Sequence, residues 1–319
     1  MTDVEVFPAL VEGATLRIVL RPSAPSSTED GVSLCARVTH TYSPFTMSPV
    51  LRVSIDPLRP SALPPSSSPF PTEAILKLYD RRCLTNTRVD YDDGRPWSLD
   101  EEREHWQYLV EVERGAAKVG DFASPTYMWD NDVSDGAFEA YLAYTAPAMF
   151  AAERAAYECL NELQGKEIPR LYGVVEWEVV PGILIEYVSG LTLRQLVQTW
   201  PRRTPTLSNV LLAHLCDRAV AVVDHMSDFD VLNEDVRLDN FLIREPFLEL
   251  VEYPVVLVDL AQCRLRCAEE DEDAWVAAKW SQDETGAVGF VLLSLVQECV
   301  GKDVWSFKRS LRYYRPLEG

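Results

Sequence analysis

Alternating apolar and polar positions predict strands in the first part of the chain. Residues 14–20 and 32–41 alternate in this way, which is typical of an antiparallel hairpin. A later strand is predicted at the run A-I-L-K-L-Y-D, where Leu76 and Leu78 share one face and Lys77 lies on the other. A lysine inside an apolar strand requires an acidic partner, which another part of the chain has to supply.

A helical pattern further along supplies that partner. The helix is predicted to begin near Pro147, a residue suited to the first helical position. Glu153 lies on the apolar stripe of this helix together with Ala156, whereas Glu158 lies on a different face. Because the apolar stripe faces inward, Glu153 is the predicted partner of Lys77. The alternative, an exposed lysine and a solvated helix glutamate, stays open on these two segments alone.

The stretch between Lys77 and Glu153 is far longer than a strand-to-helix connection requires. It is interpreted as an insertion at residues 80–146. Within it, the run S-L-D-E from Ser98 predicts a capped helix, and the polar run from Asp130 to Gly136 predicts turns.

The second half of the chain combines a hairpin with helices. The runs V-V-E-W-E-V-V and P-G-I-L-I-E-Y-V predict two strands, the second of which stops at Gly190. Thr192 is predicted to cap a short helix, and Leu212 and Leu215 belong to the stripe of a longer helix from about Ser208 to Asp228. The run G-A-V-G-F-V-L-L-S-L-V predicts a buried helix further on.

The segment from Asn233 to Gln262 carries the candidate chemistry. It reads N-E-D-V-R-L-D-N-F-L-I, then a polar connector, then V-V-L-V-D-L-A-Q. The two short apolar runs predict paired antiparallel strands, so that the end of the second returns beside the loop that precedes the first. Asp235, Asn240 and Asp259 are then expected to converge.

Three oxygen-bearing side chains at one point predict a phosphoryl-transfer site. Mg²⁺ is a hard ion that prefers oxygen ligands, which Asn240 and Asp259 offer. Asp235 is left to orient the hydroxyl group that accepts the phosphoryl group. The structural alternative stays open, because Asp and Asn are also common as caps and ties of loops.

The same segment resembles the catalytic loop and metal-binding strand of the protein kinase superfamily. Asp235, Arg237 and Asn240 match the Asp, Lys and Asn of the H-R-D-L-K-x-x-N pattern, and Asp259-Leu260-Ala261 matches D-F-G. The phrases Gln164-Gly165 to Ile168-Pro169 and Asp235-Val236-Arg237 are similar to those of the divergent protein kinase-like proteins of fungi.

The resemblance implies an α+β fold class, specifically a bilobal protein kinase-like fold. It would have an antiparallel-sheet N-lobe with a long insertion and a shortened, mainly helical C-lobe. The N-lobe is expected at residues 1–187, with the insertion at 80–146 and the helix of Glu153. The C-lobe is expected at residues 188–319, with the catalytic loop and the metal strand.

The resemblance also implies ATP and Mg²⁺ as cofactors. Asn240 and Asp259 are expected to bind the metal. Asp235 is expected to orient the acceptor, and Arg237 to stabilise the transferring group. The γ-phosphoryl group would pass to a hydroxyl of a protein Ser/Thr or of a small molecule.

Two further nucleotide contacts follow from the resemblance. Lys77, held by Glu153, is expected to bind the phosphates of the nucleotide. The backbone of Glu186 to Val188 corresponds in position to the family's segment that binds the adenine edge.

Several departures from the family pattern keep alternative functions open. No G-x-G-x-x-G precedes Lys77, Asn233 and Glu234 replace the His and Arg of the catalytic loop, and no A-P-E follows Ala261. These departures favour a pseudokinase that binds partners without turnover. A third hypothesis is an unrelated α+β binding protein in which the motif is accidental.

Composition and net charge exclude some classes of binding partner. The chain of 319 residues has a net charge of −20, which repels nucleic acids and anionic membrane surfaces. No run of apolar residues approaches a membrane span, and the first residues lack the basic flank of a signal peptide. The seven cysteines without a C-x-x-C pair favour reduced thiols. The expected location is therefore cytoplasmic or nuclear.

Overall fold

The computed structural model describes residues 10–21, 31–57, 71–91, 94–116, 133–202, 208–245 and 252–315. The chain divides into two compact units. The first comprises Met1–Ala151 and Leu171–Tyr187, and the second comprises Ala152–Arg170 and Val188–Gly319. Glu153 therefore belongs to the second unit, and Lys77 belongs to the first.

Six antiparallel strands of the first unit form a closed barrel. In chain order they are β1 (Thr15–Arg21), β2 (Val32–Thr41), β3 (Val50–Pro57), β4 (Glu73–Leu78), β5 (Leu171–Trp177) and β6 (Val180–Glu186). They pair in the order β1-β2-β3-β4-β6-β5. The barrel closes where Val19, Leu20 and Arg21 of β1 pair with Glu176, Val175 and Val174 of β5.

This closure contradicts the predicted fold class. The chain is α+β, but the bilobal protein kinase-like fold with an antiparallel-sheet N-lobe is wrong, because the six strands close on themselves. Strand β3, which the sequence analysis did not identify, adds a strand before β4. Gly173 allows β5 to approach β1 closely, since a Cβ atom there would lie 2.7 Å from the carbonyl oxygen of Arg21.

The barrel interior is filled by apolar side chains at every second position. This period of two is the pattern that the alternation predicts for a strand with one buried face. The interior residues are Leu16, Ile18, Leu20, Leu34, Ala36, Val38, Leu51, Val53, Ile55, Ala74, Leu76, Leu78, Val175, Trp177, Val180 and Leu184. Lys77 therefore lies on the outer face of β4, where it is nevertheless only 5% exposed.

Among the described residues between β4 and β5, the α-helices are α1 (Thr85–Tyr91), α2 (Leu99–Glu113) and α3 (Asp135–Cys159). The predicted cap of α2 is confirmed, because the Ser98 hydroxyl accepts hydrogen bonds from the N–H groups of Asp100 and Glu101. Residues 117–132 of the predicted insertion lie outside the part of the chain that the structure describes.

The predicted start of the third helix is wrong. α3 begins at Asp135, and Pro147 lies inside it. The Ser134 hydroxyl accepts from the Ala137 N–H, which caps the helix where turns were predicted, and burial of Phe138 and other apolar residues favours the longer helix. Packing thus outweighs the loss of one backbone hydrogen bond at the proline. Residues 130–132 of the predicted turn lie outside the described ranges.

The second unit contains helices and two small sheets. Its elements after the end of α3 are β7 (Gly190–Thr192), α4 (Leu193–Thr199), α5 (Asn209–Met226), β8 (Val231–Asn233), β9 (Phe241–Arg244), β10 (Val255–Leu257), β11 (Cys263–Leu265), α6 (Glu272–Gln282) and α7 (Glu284–Cys299). One sheet has the order β10-β9-β7 and the other pairs β11 with β8.

The helices predicted for this unit are confirmed. Thr192 forms a capping box with Gln195 at the start of α4, and Ser208 caps α5. The stripe of α5 is buried, as is that of α7, which carries Val288, Leu292 and Val296. No helix in the described ranges is long and apolar enough to span a lipid bilayer.

Thiol chemistry provides a test of this burial. All seven cysteines are free; Cys267 is exposed, whereas Cys83, Cys216 and Cys263 are buried. Burial raises the pKa of the Cys216 thiol to about 12, so its reactive thiolate is scarce at neutral pH. We expect a thiol-disulfide reagent to label Cys267 rapidly and the three buried thiols only as the protein unfolds. Peptide mapping after brief labelling measures this order, and rapid native labelling of Cys216 would contradict it.

Candidate functional site

Two loops of the second unit lie side by side because short strands pair on both sides of them. β9 pairs with β10 and β8 with β11, so that residues 234–240 and 258–262 lie between the two strand pairs. The Glu234 N–H donates to the Gln262 carbonyl at 3.0 Å, and the Val258 N–H donates to the Asn240 carbonyl at 2.8 Å. The predicted return of the second strand beside the first loop is confirmed.

The first loop is held by two amide side chains. Asn233 Oδ1 accepts from the Asp235 N–H at 2.8 Å, and Asn240 Nδ2 donates to the Asp235 carbonyl at 3.0 Å. A 3₁₀ turn at Leu238–Asn240 then leads into β9. Asn240 therefore has the loop-tying role that the sequence analysis left open.

The Asp235 carboxylate is paired with an exposed arginine. Asp235 Oδ2 accepts from Arg237 Nη2 at 2.5 Å, and the side chain of Arg237 is 54% exposed against 15% for Asp235. An ion pair with one exposed partner contributes only about 0–1 kcal/mol to stability. Arg237 can therefore leave Asp235 for an incoming anionic group at little cost.

Asp259 stands at a strained point of the second loop. Its φ of 64° is in the left-handed region, which costs a non-glycine residue about 1–3 kcal/mol unless its surroundings hold it there. The next residue is held by α3, because the Leu260 N–H donates to Glu153 Oε1 at 3.2 Å. Glu153 is fully buried, so the strained turn is tied to the interior of the unit.

Asn240 and Asp259 are chemically suited to Mg²⁺. They offer an amide oxygen and a carboxylate from adjacent loops, and the backbone bond between Val258 and Asn240 joins those loops. Proteins usually bind Mg²⁺ through one or two carboxylates together with substrate phosphates. The donor set therefore fits a metal that arrives with a nucleotide. Over the described ranges, no three or more His, Cys, Asp or Glu residues form a metal-binding cluster.

The predicted site residues fall in different units. In the second unit, Asp235 is hydrogen-bonded to Arg237 and Asn240. Asp259 lies in the chain between Val258, whose N–H donates to the Asn240 carbonyl, and Leu260, whose N–H donates to Glu153.

The remaining predicted site residues are Lys77, Glu186 and Val188. Lys77 lies on β4 and Glu186 ends β6, both in the first unit, and the Lys77 amine is 5.6 Å from the centre of the Tyr79 ring. Val188 is a buried residue of the second unit. The pairing of Lys77 with Glu153 and the nucleotide contacts of Lys77, Glu186 and Val188 stay predictions.

A buried ion pair behind the first loop was not predicted. Glu284 Oε1 accepts from the Asn233 N–H at 2.7 Å, and its other oxygen accepts from Lys279 Nζ. Lys279 Nζ also donates to the Val231 carbonyl at 2.8 Å. Burial raises the pKa of Glu284 and lowers the pKa of Lys279, while each partner's charge opposes these shifts.

This pair positions the residue on which the Asp235 loop depends. Asn233 receives the Glu284 contact through its N–H and holds Asp235 through its side chain. The sequence gives little indication of this ion pair. Lys279 lies in the last turn of α6 and Glu284 is the first residue of α7, so the two residues belong to different helices. A glutamate at the start of an apolar helix is the only local indication.

Comparison with known proteins assigns no family to the chain. No protein-family model matches it, and a search of curated proteins found no similar sequence.

Proposed function

We propose that the protein is an ATP- and Mg²⁺-dependent phosphotransferase that transfers the γ-phosphoryl group to a hydroxyl group. The observation that carries this proposal is the juxtaposition of two loops, one with Asp235 and Asn240 and the other with Asp259. The resemblance of these loops to the protein kinase superfamily supports it. The location proposed for it is the cytoplasm or the nucleus.

Four residues of the two loops would each have a distinct role. Asn240 and Asp259 would hold Mg²⁺, which would neutralise charge on the nucleotide's phosphates. Asp235 would accept a hydrogen bond from the acceptor hydroxyl and orient it. Arg237, released from Asp235, would stabilise negative charge on the transferring group. The acceptor would be a protein Ser/Thr or a small molecule.

The Asp235–Arg237 pair fits this order of events. Arg237 Nη2 lies 2.5 Å from Asp235 Oδ2, so the guanidinium neutralises the carboxylate. A bound triphosphate carries more negative charge than one carboxylate and would attract the exposed guanidinium. Asp235 would then be free to accept from a hydroxyl group at the moment the nucleotide is in place.

A second candidate function is a pseudokinase that acts as a binding scaffold without turnover. Backbone donors for phosphates usually come from a glycine-rich loop, and between Gly13 and Gly31 the chain has no glycine. Gly31 itself is needed for packing, since a Cβ atom there would lie 2.4 Å from Val19 Cγ1. This observation favours weak nucleotide binding or none.

A thermal-shift titration separates the two functions. We expect Mg²⁺ with ATP to raise the melting temperature of the wild type, and ATP with EDTA to raise it far less. A ligand at about 100 times its Kd adds about 2.7 kcal/mol of stability. Asp259→Asn is expected to lose the Mg²⁺-dependent part, because a neutral amide binds a hard cation more weakly than a carboxylate does.

Asp239→Asn is the matched control for this titration. It removes one charge from the neighbouring loop, where Asp239 accepts from Arg194 Nε at 2.8 Å, and it should keep the shift. If neither ligand shifts the wild type, the phosphotransferase proposal is wrong and a function without nucleotide binding is favoured. If Asp259→Asn keeps the full Mg²⁺-dependent shift, the metal role of Asp259 is wrong.

A further inference from the structure

Elements of the first unit meet around one buried carboxylate. Glu139 of α3 is fully buried and accepts hydrogen bonds from Arg81 and from Arg88 of α1. Arg81 also donates to Glu102 of α2 at 2.5 Å. We call Arg81, Arg88, Glu102 and Glu139 the polar hub. Its two guanidinium groups balance its two carboxylates.

One edge of the Arg88 side chain has no partner among the described residues. Arg88 is 2% exposed, and its Nη1 is bound to Glu139, whereas its Nε and Nη2 make no hydrogen bond with any residue in the described ranges. The Nε–H and Nη2–H groups lie on the same edge of the planar guanidinium. Two donors in this arrangement match the two oxygens of a carboxylate or phosphate.

His105 adds a second unpaired polar atom beside the hub. It lies on α2, it is 8% exposed, and its Nδ1 finds no hydrogen-bond partner in the described ranges. Burial, followed by the charge of Arg81, lowers the pKa of His105, while Glu102 and Glu139 oppose this shift. Buried polar atoms in proteins are rarely unpaired, so two such side chains at one hub indicate a missing partner.

We propose that the free edge of Arg88 binds a small monocarboxylate. The charges around Arg88 favour a monocarboxylate over a phosphate. The positive and negative charges of the polar hub are already equal in number, and the carboxylate of Glu101 also lies near Arg88. A phosphate would bring up to two negative charges close to these carboxylates, whereas a carboxylate brings one. The Phe138 ring, whose centre is 6.0 Å from Arg88 Cζ, offers an apolar surface to the ligand's carbon atoms.

Nuclear magnetic resonance of the arginine side chains tests this proposal in the intact wild-type chain. Acetate is the probe, and separate titrations with phosphate and with chloride are made at the same ionic strength. We expect acetate to shift one buried arginine Nε–H resonance in a saturable manner, with half-saturation at a concentration about tenfold below that of phosphate. The same titration should raise the melting temperature to a plateau.

Two variants identify the residue. Arg88→Lys keeps the charge and removes the paired donors, so it should lose the shifted resonance and the acetate-dependent stabilisation. Arg103→Lys is the control, because Arg103 lies on the exposed face of α2 with a 68% exposed side chain, and it should keep both.

Three outcomes would overturn the proposal. If no anion shifts the resonance, water alone occupies the edge of Arg88. If phosphate binds and acetate does not, the ligand class is wrong. If Arg88→Lys folds and responds to acetate as the wild type does, the site lies elsewhere. The wild-type resonance decides the first two outcomes even if the variant does not fold.

Discussion

Replacing Asp235 with asparagine is expected to lower the rate of ADP production from Mg²⁺ and ATP by about 10²- to 10⁴-fold, the usual contribution of a positioned acid or base. The amide cannot accept the hydroxyl proton as a carboxylate does. The substitution also removes the ion pair between residue 235 and Arg237. The loop keeps its shape, because Asn233 and Asn240 bind the backbone N–H and carbonyl of residue 235. A coupled assay of ADP release, with candidate acceptors and with water as the default acceptor, measures the effect.

Nucleotide binding should survive this substitution. Asp235 is not expected to bind the metal, so Asp235→Asn should keep the Mg²⁺-dependent thermal shift that Asp259→Asn loses. Asp239→Asn, in the same loop and with a 53% exposed side chain, should keep both binding and turnover. Equal turnover in Asp235→Asn and the wild type would show that Asp235 is not the catalytic residue and that the loop has a structural role.

Replacing Glu284 with alanine is expected to lower the free energy of unfolding by about 3–5 kcal/mol, the usual cost of removing one partner of a buried ion pair. The substitution leaves the buried amine of Lys279 without its carboxylate and the Asn233 N–H without its acceptor. Equilibrium denaturation in urea, followed by circular dichroism, measures this loss. Glu158→Ala is the control, because the Arg154–Glu158 pair is 45% exposed on both sides and contributes less than about 1 kcal/mol.

A double variant separates charge from hydrogen bonding. Lys279→Met with Glu284→Gln removes both charges but keeps an oxygen that can accept from the Asn233 N–H. It should unfold within about 1–2 kcal/mol of the wild type, since replacing a buried ion pair as a whole is often close to neutral. If the double variant is as unstable as Glu284→Ala, the loss comes from altered packing, and the ion pair is not its cause.

Local features of the candidate site could be predicted from the sequence. The spacing of Asp235 and Asn240 before an apolar run, with Asp259 after the next one, implied that a strand pair would return the second segment beside the first loop. The pairing of β9 with β10 confirms the strand pair, which needs only two short segments separated by a connector. The predicted caps at Ser98 and Thr192 are confirmed for the same reason, since each depends on residues within one turn of a helix.

Contacts between distant segments could not be predicted in this way. Glu284 and Asn233 are far apart in sequence, and the local sequence around either residue does not predict a contact with the other. Glu139 and Arg88 in the polar hub are a second example. A buried carboxylate can be stabilised by any arginine that the fold brings near it, so composition alone leaves the partner undetermined.

The sequence by itself determined the apolar face of most strands, the caps of two helices and the strand pair that follows the Asp235 loop. The tertiary structure alone decided that β5 pairs with β1 and turns a predicted sheet into a barrel. Alternation specifies the apolar face of a strand and leaves its edge partners open. Those partners depend on long-range hydrogen bonding and on close approach at Gly173, which no short pattern records.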